Sequence, residues 1–163
     1  MKRVIVIGCP GSGKSTFSRE LAKRTGLPLY YLDMVWHKPD RTTVTHEEFD
    51  CELAKLLAGD EWIMDGNFAR TLGIRLAACD TVFLFDLPTE VCLSGVAARI
   101  GKTRPDMPWV EEEFDPDFRE YIKGFRDSTL VRMYEILEKS GKGKHIEIFR
   151  SREEADRYIR SLE

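Results

Sequence analysis

The chain, 163 residues long, predicts a three-layer α/β fold: a five-stranded parallel sheet, helices on both faces, and a phosphate-binding loop after the first strand. Three observations predict it. Gly8-Cys9-Pro10-Gly11-Ser12-Gly13-Lys14-Ser15 matches G-x-x-x-x-G-K-[ST] in full, between an apolar β-branched stretch and a helical pattern. Strand-like runs alternate with helical ones, which implies parallel strands joined by right-handed crossovers. Those strand runs are continuously apolar, as suits strands buried on both faces.

Arg3-Val4-Ile5-Val6-Ile7 is the first strand, and Thr16 to Thr25 carries Phe17, Leu21 and Ala22 at helical spacing before Gly26 and Pro28 close it. Between them, glycines let the backbone curl round an anion, and the following helix directs the positive end of its dipole to the same point. Gly8, Cys9, Pro10, Gly11, Ser12, Gly13, Lys14, Ser15 and Thr16 are therefore the expected nucleoside triphosphate cradle. Lys14 would reach the β and γ phosphates and the Ser15 hydroxyl would ligate Mg²⁺, while Cys9 and Pro10 give shape.

Leu29-Tyr30-Tyr31-Leu32 reads as a second strand ending at Asp33, and the polar stretch to Thr45, with Asp33, Trp36, His37 and Arg41, as a candidate acceptor loop. Thr45 with Glu48 makes a capping box for a helix bearing Phe49, Leu53, Leu56 and Leu57, ended by Gly59. Trp62-Ile63-Met64-Asp65 and Thr81 to Asp86 are the third and fourth strands, each with a carboxylate at its carboxyl end. A helix from about Thr89 to Ile100 leads into Gly101 to Pro108, too rich in Gly, Pro and charge for an element interior. That segment, about 101–113, reads as a short mobile lid. A long helix follows, with Phe118, Ile122, Phe125, Thr129, Met133 and Ile136 along one face and a bend at Gly124. Lys144 to Phe149 is the last strand, and Ser151 with Glu154 caps a terminal helix carrying Ala155, Tyr158, Ile159 and Leu162.

Composition suits one domain, 1–163, with a real core: 42% hydrophobic and 33% charged. A net charge of −3 argues against a broad footprint on DNA or RNA, although a local basic patch stays open. The four cysteines lack C-x-x-C spacing and the three histidines join no ligand cluster, which argues against zinc. The first strand begins at residue 3 and no apolar run approaches the roughly 20 residues that span a bilayer, so a reduced, cytoplasmic protein is expected, monomeric or homodimeric.

An acid directly after a buried strand can hold a water of the Mg²⁺ shell. Asp65 and Asp86 compete for that role; Asp65 is favoured because Gly66 lets a substrate approach the backbone and Arg70 lies one helical turn away. Arg99, Lys102 and Arg104 bracket the lid, from which arginines can neutralise the charge of a phosphoryl group in transfer. Arg119 and Arg126 could extend that clamp. At the acceptor loop a carboxylate beside a ring suits a hydroxyl acceptor, whereas Arg41 and Arg70 suit a phosphate acceptor; both stay open. His37 is disfavoured as a general base, Trp62 reads as packing, Trp109 as a lid hinge, and His145 as structural.

Taken together, Gly8 to Thr16, Asp33 with Trp36, Trp62 to Phe68, Asp86-Leu87-Pro88, and Arg99 with Arg104-Pro105-Asp106 resemble the adenylate-kinase-related proteins known as DNA topology modulation proteins. The resemblance spans nearly the whole chain. It implies a nucleoside-monophosphate-kinase-like fold, strand order 2-3-1-4-5, and ATP as donor. Asp65 to Thr71 is similar to the D-G-F-P-R-T of adenylate kinase with one residue inserted and the Pro lost, which implies a Mg²⁺-water role for Asp65 and an acceptor-side role for Gly66, Asn67 and Arg70. The Asp33-Trp36 loop is instead similar to that of shikimate and gluconate kinases. An ATP-dependent small-molecule kinase using Lys14, Arg99 and Arg104 is the leading expectation. A GTPase is excluded, because the single Asn is followed by Phe68 and the chain has no Gln. The alternatives are an ATP-binding regulator that touches DNA through Arg99 to Arg104, and an inactive nucleotide binder.

Overall fold

In the computed structural model, which describes residues 1–162, five parallel strands form one sheet of order β2-β3-β1-β4-β5. In chain order they are β1 (Arg3–Gly8), β2 (Leu29–Tyr31), β3 (Trp62–Asp65), β4 (Thr81–Phe85) and β5 (His145–Phe149). Val4 to Ile7 of β1 and Val82 to Leu84 of β4 have no exposed surface, so side chains pointing both ways from the sheet are covered, as the continuous apolar runs require. The helices are α1 (Lys14–Thr25), α2 (Leu32–Trp36), α3 (His46–Leu57), α4 (Ala69–Ala78), α5 (Thr89–Arg99), α6 (Pro116–Gly124), α7 (Thr129–Ser140) and α8 (Arg152–Ser161). Phe17 of α1 and Tyr158 of α8 meet Phe83 and Phe149 of the sheet at ring separations of 4.9 to 5.8 Å, while α4 and α7 form a second packed pair. No described helix is long and apolar enough to cross a membrane.

Register decides where function gathers. Val6 of β1 lies beside Asp65 of β3, and Gly8 beside Phe85 of β4, so three strands end together at the loop between β1 and α1. Ligands of open parallel sheets bind at such carboxyl ends.

Three elements differ from the sequence expectation. The stretch after Tyr31 continues as a helix, with Leu32 fully buried as its first residue, so Asp33 sits on α2 rather than at a strand end. Arg41, at φ 68°, turns the chain back toward an antiparallel bridge between His37 and Thr43. The expected long helix is broken, not merely bent: α6 ends at Gly124, and residues 125–128 reset the phase. Leu130, Met133 and Leu137 are therefore buried in α7, in place of the Thr129 and Ile136 of an unbroken stripe. Finally, α4 has no counterpart among the expectations, although Leu72 and Leu76 lie one turn apart and both are fully buried. The capping box at α3 is present as expected, with Thr45 Oγ1 accepting from Glu48 N at 3.1 Å and Thr45 N donating to Glu48 Oε2 at 3.0 Å.

The loop is seated against α5 backbone to backbone. A Cβ at Gly95 would lie 2.0 Å from the Gly11 carbonyl oxygen, and one at Gly11 2.1 Å from that of Cys92. Gly95→Ala is expected to destabilise the fold by about 1–3 kcal/mol, the usual range for overpacking, and to displace the loop. Gly73→Ala on α4, where a Cβ meets nothing within 4 Å, should instead stabilise by up to about 1 kcal/mol through helix propensity. Urea melts of the two variants check the contrast; equal effects would contradict the close approach.

Candidate functional site

The loop is clamped from three sides. Asn67, in the turn between β3 and α4, grips Gly8 with both amide atoms: its Oδ1 accepts from Gly8 N at 2.9 Å and its Nδ2 donates to Gly8 O at 2.8 Å. Arg152, at the start of α8, donates to the carbonyls of Gly11 at 2.8 Å and Ser12 at 3.3 Å. Lys14 Nζ donates to Cys9 O at 3.0 Å. Carbonyls are thus drawn to cations, while the first N–H groups of α1 have no acceptor within their own helix. A loop so arranged favours an anion.

Two cavities meet here. The smaller, about 530 Å³, is bounded by residues 11–17, by Arg152 and by part of α5. The larger, about 910 Å³, runs from the loop to Asp33, His37, residues 65–68 and the segment 106–115. Both are lined by Lys14, Ser15, Arg99, Arg104 and Asp106, which form the wall between them. Four of these are residues that the sequence singles out. The fifth, Asp106, is not among the expected site residues, although the Arg104-Pro105-Asp106 segment carries it.

Carboxylates converge on Ser15. Its hydroxyl donates to Asp106 Oδ2 at 3.3 Å, and that same oxygen accepts from Arg104 Nη1 at 3.1 Å. Asp65 is 5% exposed, and its Oδ2 is buried with no hydrogen-bond partner. Burial pushes its pKa up to about 6, against the opposing pull of Lys14 and Ser15. Asp33 is likewise raised, by its recess in the cleft and despite Lys14. Asp86 is engaged elsewhere, accepting from Arg150 at 2.8 Å and Tyr134 at 2.7 Å with Arg126 at 3.3 Å, so of the two competing acids only Asp65 faces the cavity. No three His, Cys, Asp or Glu side chains among the described residues form a metal cage. A hydroxyl and an orphaned carboxylate oxygen nonetheless fit Mg²⁺, which keeps several waters and takes phosphate oxygens as ligands.

Of the residues expected on an acceptor side, Asp33, Arg41, Gly66 and Asn67 line the larger cavity together with His37 and Phe68. Asn67 reaches it through a side chain already committed to Gly8. Trp36 does not line it: its ring packs on Phe49 at 5.8 Å and His46 at 5.2 Å. Arg70 does not either, because its guanidinium forks onto Asp50 at 2.6 and 3.0 Å on the surface. The arginine that serves this turn is Arg75, fully buried, which donates to the carbonyls of Gly66 at 2.9 Å and Phe68 at 3.0 Å and also to that of Asn67. Its charge among Leu72 and Leu76, on the apolar face of an amphipathic stretch, is the signal that could have found it.

The segment 101–115 is folded down over the cleft. Glu111 Oε2 pairs with Arg99 Nε at 3.1 Å and Arg104 Nη2 at 3.4 Å, and these side chains are only 22% and 15% exposed. They offer no open basic patch to a nucleic acid backbone. Trp109 is not a remote hinge; it meets His37 edge-on at 4.9 Å and so joins this segment to α2. Arg119 stacks on Phe114 at 4.4 Å and takes no part in the wall.

Neither family models nor curated proteins give a match to this chain. Solved structures do. A shikimate kinase from Bacteroides thetaiotaomicron aligns with a TM-score of 0.61 at 14% identity, over 99% of this chain and 96% of that one. A shikimate kinase from Aquifex aeolicus aligns with a TM-score of 0.55 at 17% identity, over 98% and 93%. The chain has the fold of these P-loop kinases, with the expected strand order.

The raised pKa of Asp65 has a defined consequence for stability. The folded state keeps this proton to higher pH than the unfolded chain, so stability falls as pH rises from about 4 to 6 and stays lower above, by about 3 kcal/mol for a two-unit shift. Asp65→Asn removes that loss: the variant should be more stable than the parent at pH 8 and closer to it at pH 4. Urea midpoints at the two values test this, and a variant less stable at pH 8 would contradict it.

Proposed function

We propose that the protein is an ATP-dependent phosphotransferase, with Mg·ATP in the smaller cavity and a small acceptor in the larger one. The observation that carries this reading is the shared wall: Lys14, Ser15, Arg99 and Arg104 border both spaces, where a phosphoryl group would pass from one to the other. Charge in such a transfer spreads over the equatorial oxygens, and a protein accelerates it by positioning and neutralisation. Lys14 and the two lid arginines supply the neutralising charge, after the arginines exchange Glu111 and Asp106 for phosphate oxygens. Ser15 and Asp65 would hold Mg²⁺, which supplies further neutralisation of the phosphate oxygens when bound. Asp33 accepts a hydrogen bond from the attacking hydroxyl and takes its proton as the new P–O bond forms and the bond to ADP breaks. Segments 101–115 and 33–37, joined through Trp109 and His37, keep water out.

The W-I-M-D-G-N and R-P-D segments support grouping the chain with the adenylate-kinase-related topology modulation proteins. A cytoplasmic enzyme, monomeric or homodimeric, is part of this reading. The DNA-binding alternative loses its support with the pairing of Arg99 and Arg104.

Purified protein with Mg·ATP is expected to release ADP only when an acceptor is present, in a screen of shikimate, nucleoside monophosphates, nucleosides, sugars and amino alcohols. Lys14→Ala should lower that turnover at least about 100-fold, the scale of losing one transition-state charge partner, with the fold intact by circular dichroism. Turnover indifferent to every acceptor, or no binding of any magnesium nucleotide, would overturn the assignment.

A further inference from the structure

Three of the four lysines and arginines that line the larger cavity stand where it borders the smaller one. Lys14, Arg99 and Arg104 line both spaces, so a triphosphate claims them first. Beyond them the one remaining lysine or arginine of the lining is Arg41, an exposed side chain that Glu112 pairs at 3.3 Å. The rest of that end carries carboxylates, among them Asp33 and Glu113. Asp33 feels Lys14, Arg104 and Arg99 from the shared wall, but its neighbour at 4.0 Å is His37 Nε2, and burial lowers the pKa of that ring, so it is neutral at physiological pH. His37 Nδ1 is buried without a hydrogen-bond partner, as is Asp65 Oδ2 farther in. Facing these polar atoms are the rings of Trp109, Phe114 and Phe118.

Phosphate and carboxylate groups are bound where arginine forks or free backbone amides await them. In this recess such a group would meet Asp33 and the glutamates with no unpaired guanidinium, and like charges in a partly desolvated space repel strongly. A hydroxyl meets the opposite situation. It donates to Asp33, its neighbour accepts from or donates to His37 Nε2, which stands 4.0 Å from that carboxylate, and a ring or chain lies on the aromatic wall. A protonated amine would be tolerated there, and rings with carboxylates nearby even favour it.

Resting on the reading of the site as a kinase, we propose that the acceptor is a hydroxyl compound with no anionic group, neutral or bearing a protonated amine, held by Asp33 and His37 against Trp109 and Phe118. Nucleosides, sugars and amino alcohols belong to this class; nucleoside monophosphates, sugar acids and hydroxy acids do not.

The test pairs acceptors that differ by one anionic group: nucleosides against their 5′-monophosphates, glucose against glucuronate, ethanolamine against serine, with shikimate as a further acid. Product is followed by ³¹P NMR with the full chain and Mg·ATP. The expected result is transfer to non-anionic members with kcat/KM at least tenfold above their anionic counterparts. Glu112→Gln, which frees Arg41, should narrow that ratio by severalfold while leaving the melting temperature unchanged. Transfer to anionic members at equal or greater efficiency overturns the inference and leaves the kinase assignment standing. Absence of transfer to either member of every pair overturns both.

Discussion

A single buried guanidinium fixes the relation between the two halves of the cleft. Arg75 spends its donors on the carbonyls of residues 66–68, the turn that carries Asn67, and Asn67 in turn grips both backbone atoms of Gly8. The path from α4 to the phosphate-binding loop therefore runs through hydrogen bonds, with no flexible side chain free to wander. Burial lowers the pKa of Arg75 only to about 10, so it is charged at neutral pH, and its bonds to neutral carbonyls are charge-assisted. Removing it would leave the carbonyls of Gly66 and Asn67 without their donor, while Phe68 O keeps Thr71 N at 2.9 Å and Thr71 Oγ1 at 3.1 Å. The turn also holds Phe68 at φ 38°, a conformation that non-glycine residues adopt at a cost, and stacks its ring on Phe49 at 5.0 Å.

The lid follows a different logic. Arg99 and Arg104 are too buried to stand unpaired, and Glu111 and Asp106 satisfy them. These carboxylates occupy the guanidiniums in the way that phosphate oxygens would, so in the proposed reaction a nucleotide would take their place and release Glu111 and Asp106 toward solvent. Asp106 adds a second link, because its contact with Ser15 ties the lid to the first turn of α1. Lid, loop and acid at the end of β3 thus share one electrostatic balance, in which the raised pKa of Asp65 records an anion short of partners.

How much of this the sequence discloses depends on the range of the interaction. The strands and the loop were legible because each is written locally, in apolar runs and in one contiguous motif. Gly66 and Asn67 were legible as cavity residues because strand ends converge in any parallel sheet of this kind, and Asp33 and Arg41 because their segment leaves the same end of the sheet from β2. Arg70 and Arg75 show the limit. Both lie on the same short helix, and only the rotation of α4 decides which enters the core; Asp50, twenty residues earlier, then claims the outward one. Trp36 failed for a similar reason, since the unexpected helix α2 turns its ring toward Phe49. Local pattern does not encode helix phase across a break, and the same blindness merged α6 with α7.

The division between sheet and connecting segments also explains why the fold is recognisable at 14% identity while the acceptor is not. The position of a phosphate chain is set by β1, the loop and α1, whose geometry many sequences satisfy with glycines and apolar residues. The acceptor end is built from α2, the turn at Arg41 and the segment 101–115, where side-chain charge rather than backbone path determines what is admitted. In those segments a substitution such as glutamate for arginine leaves the trace of the chain intact and reverses the charge of the ligand it accepts. Backbone similarity therefore speaks for the fold, and the pairing of individual charges at Glu111, Glu112 and Asp33 for what the proposed acceptor end would admit.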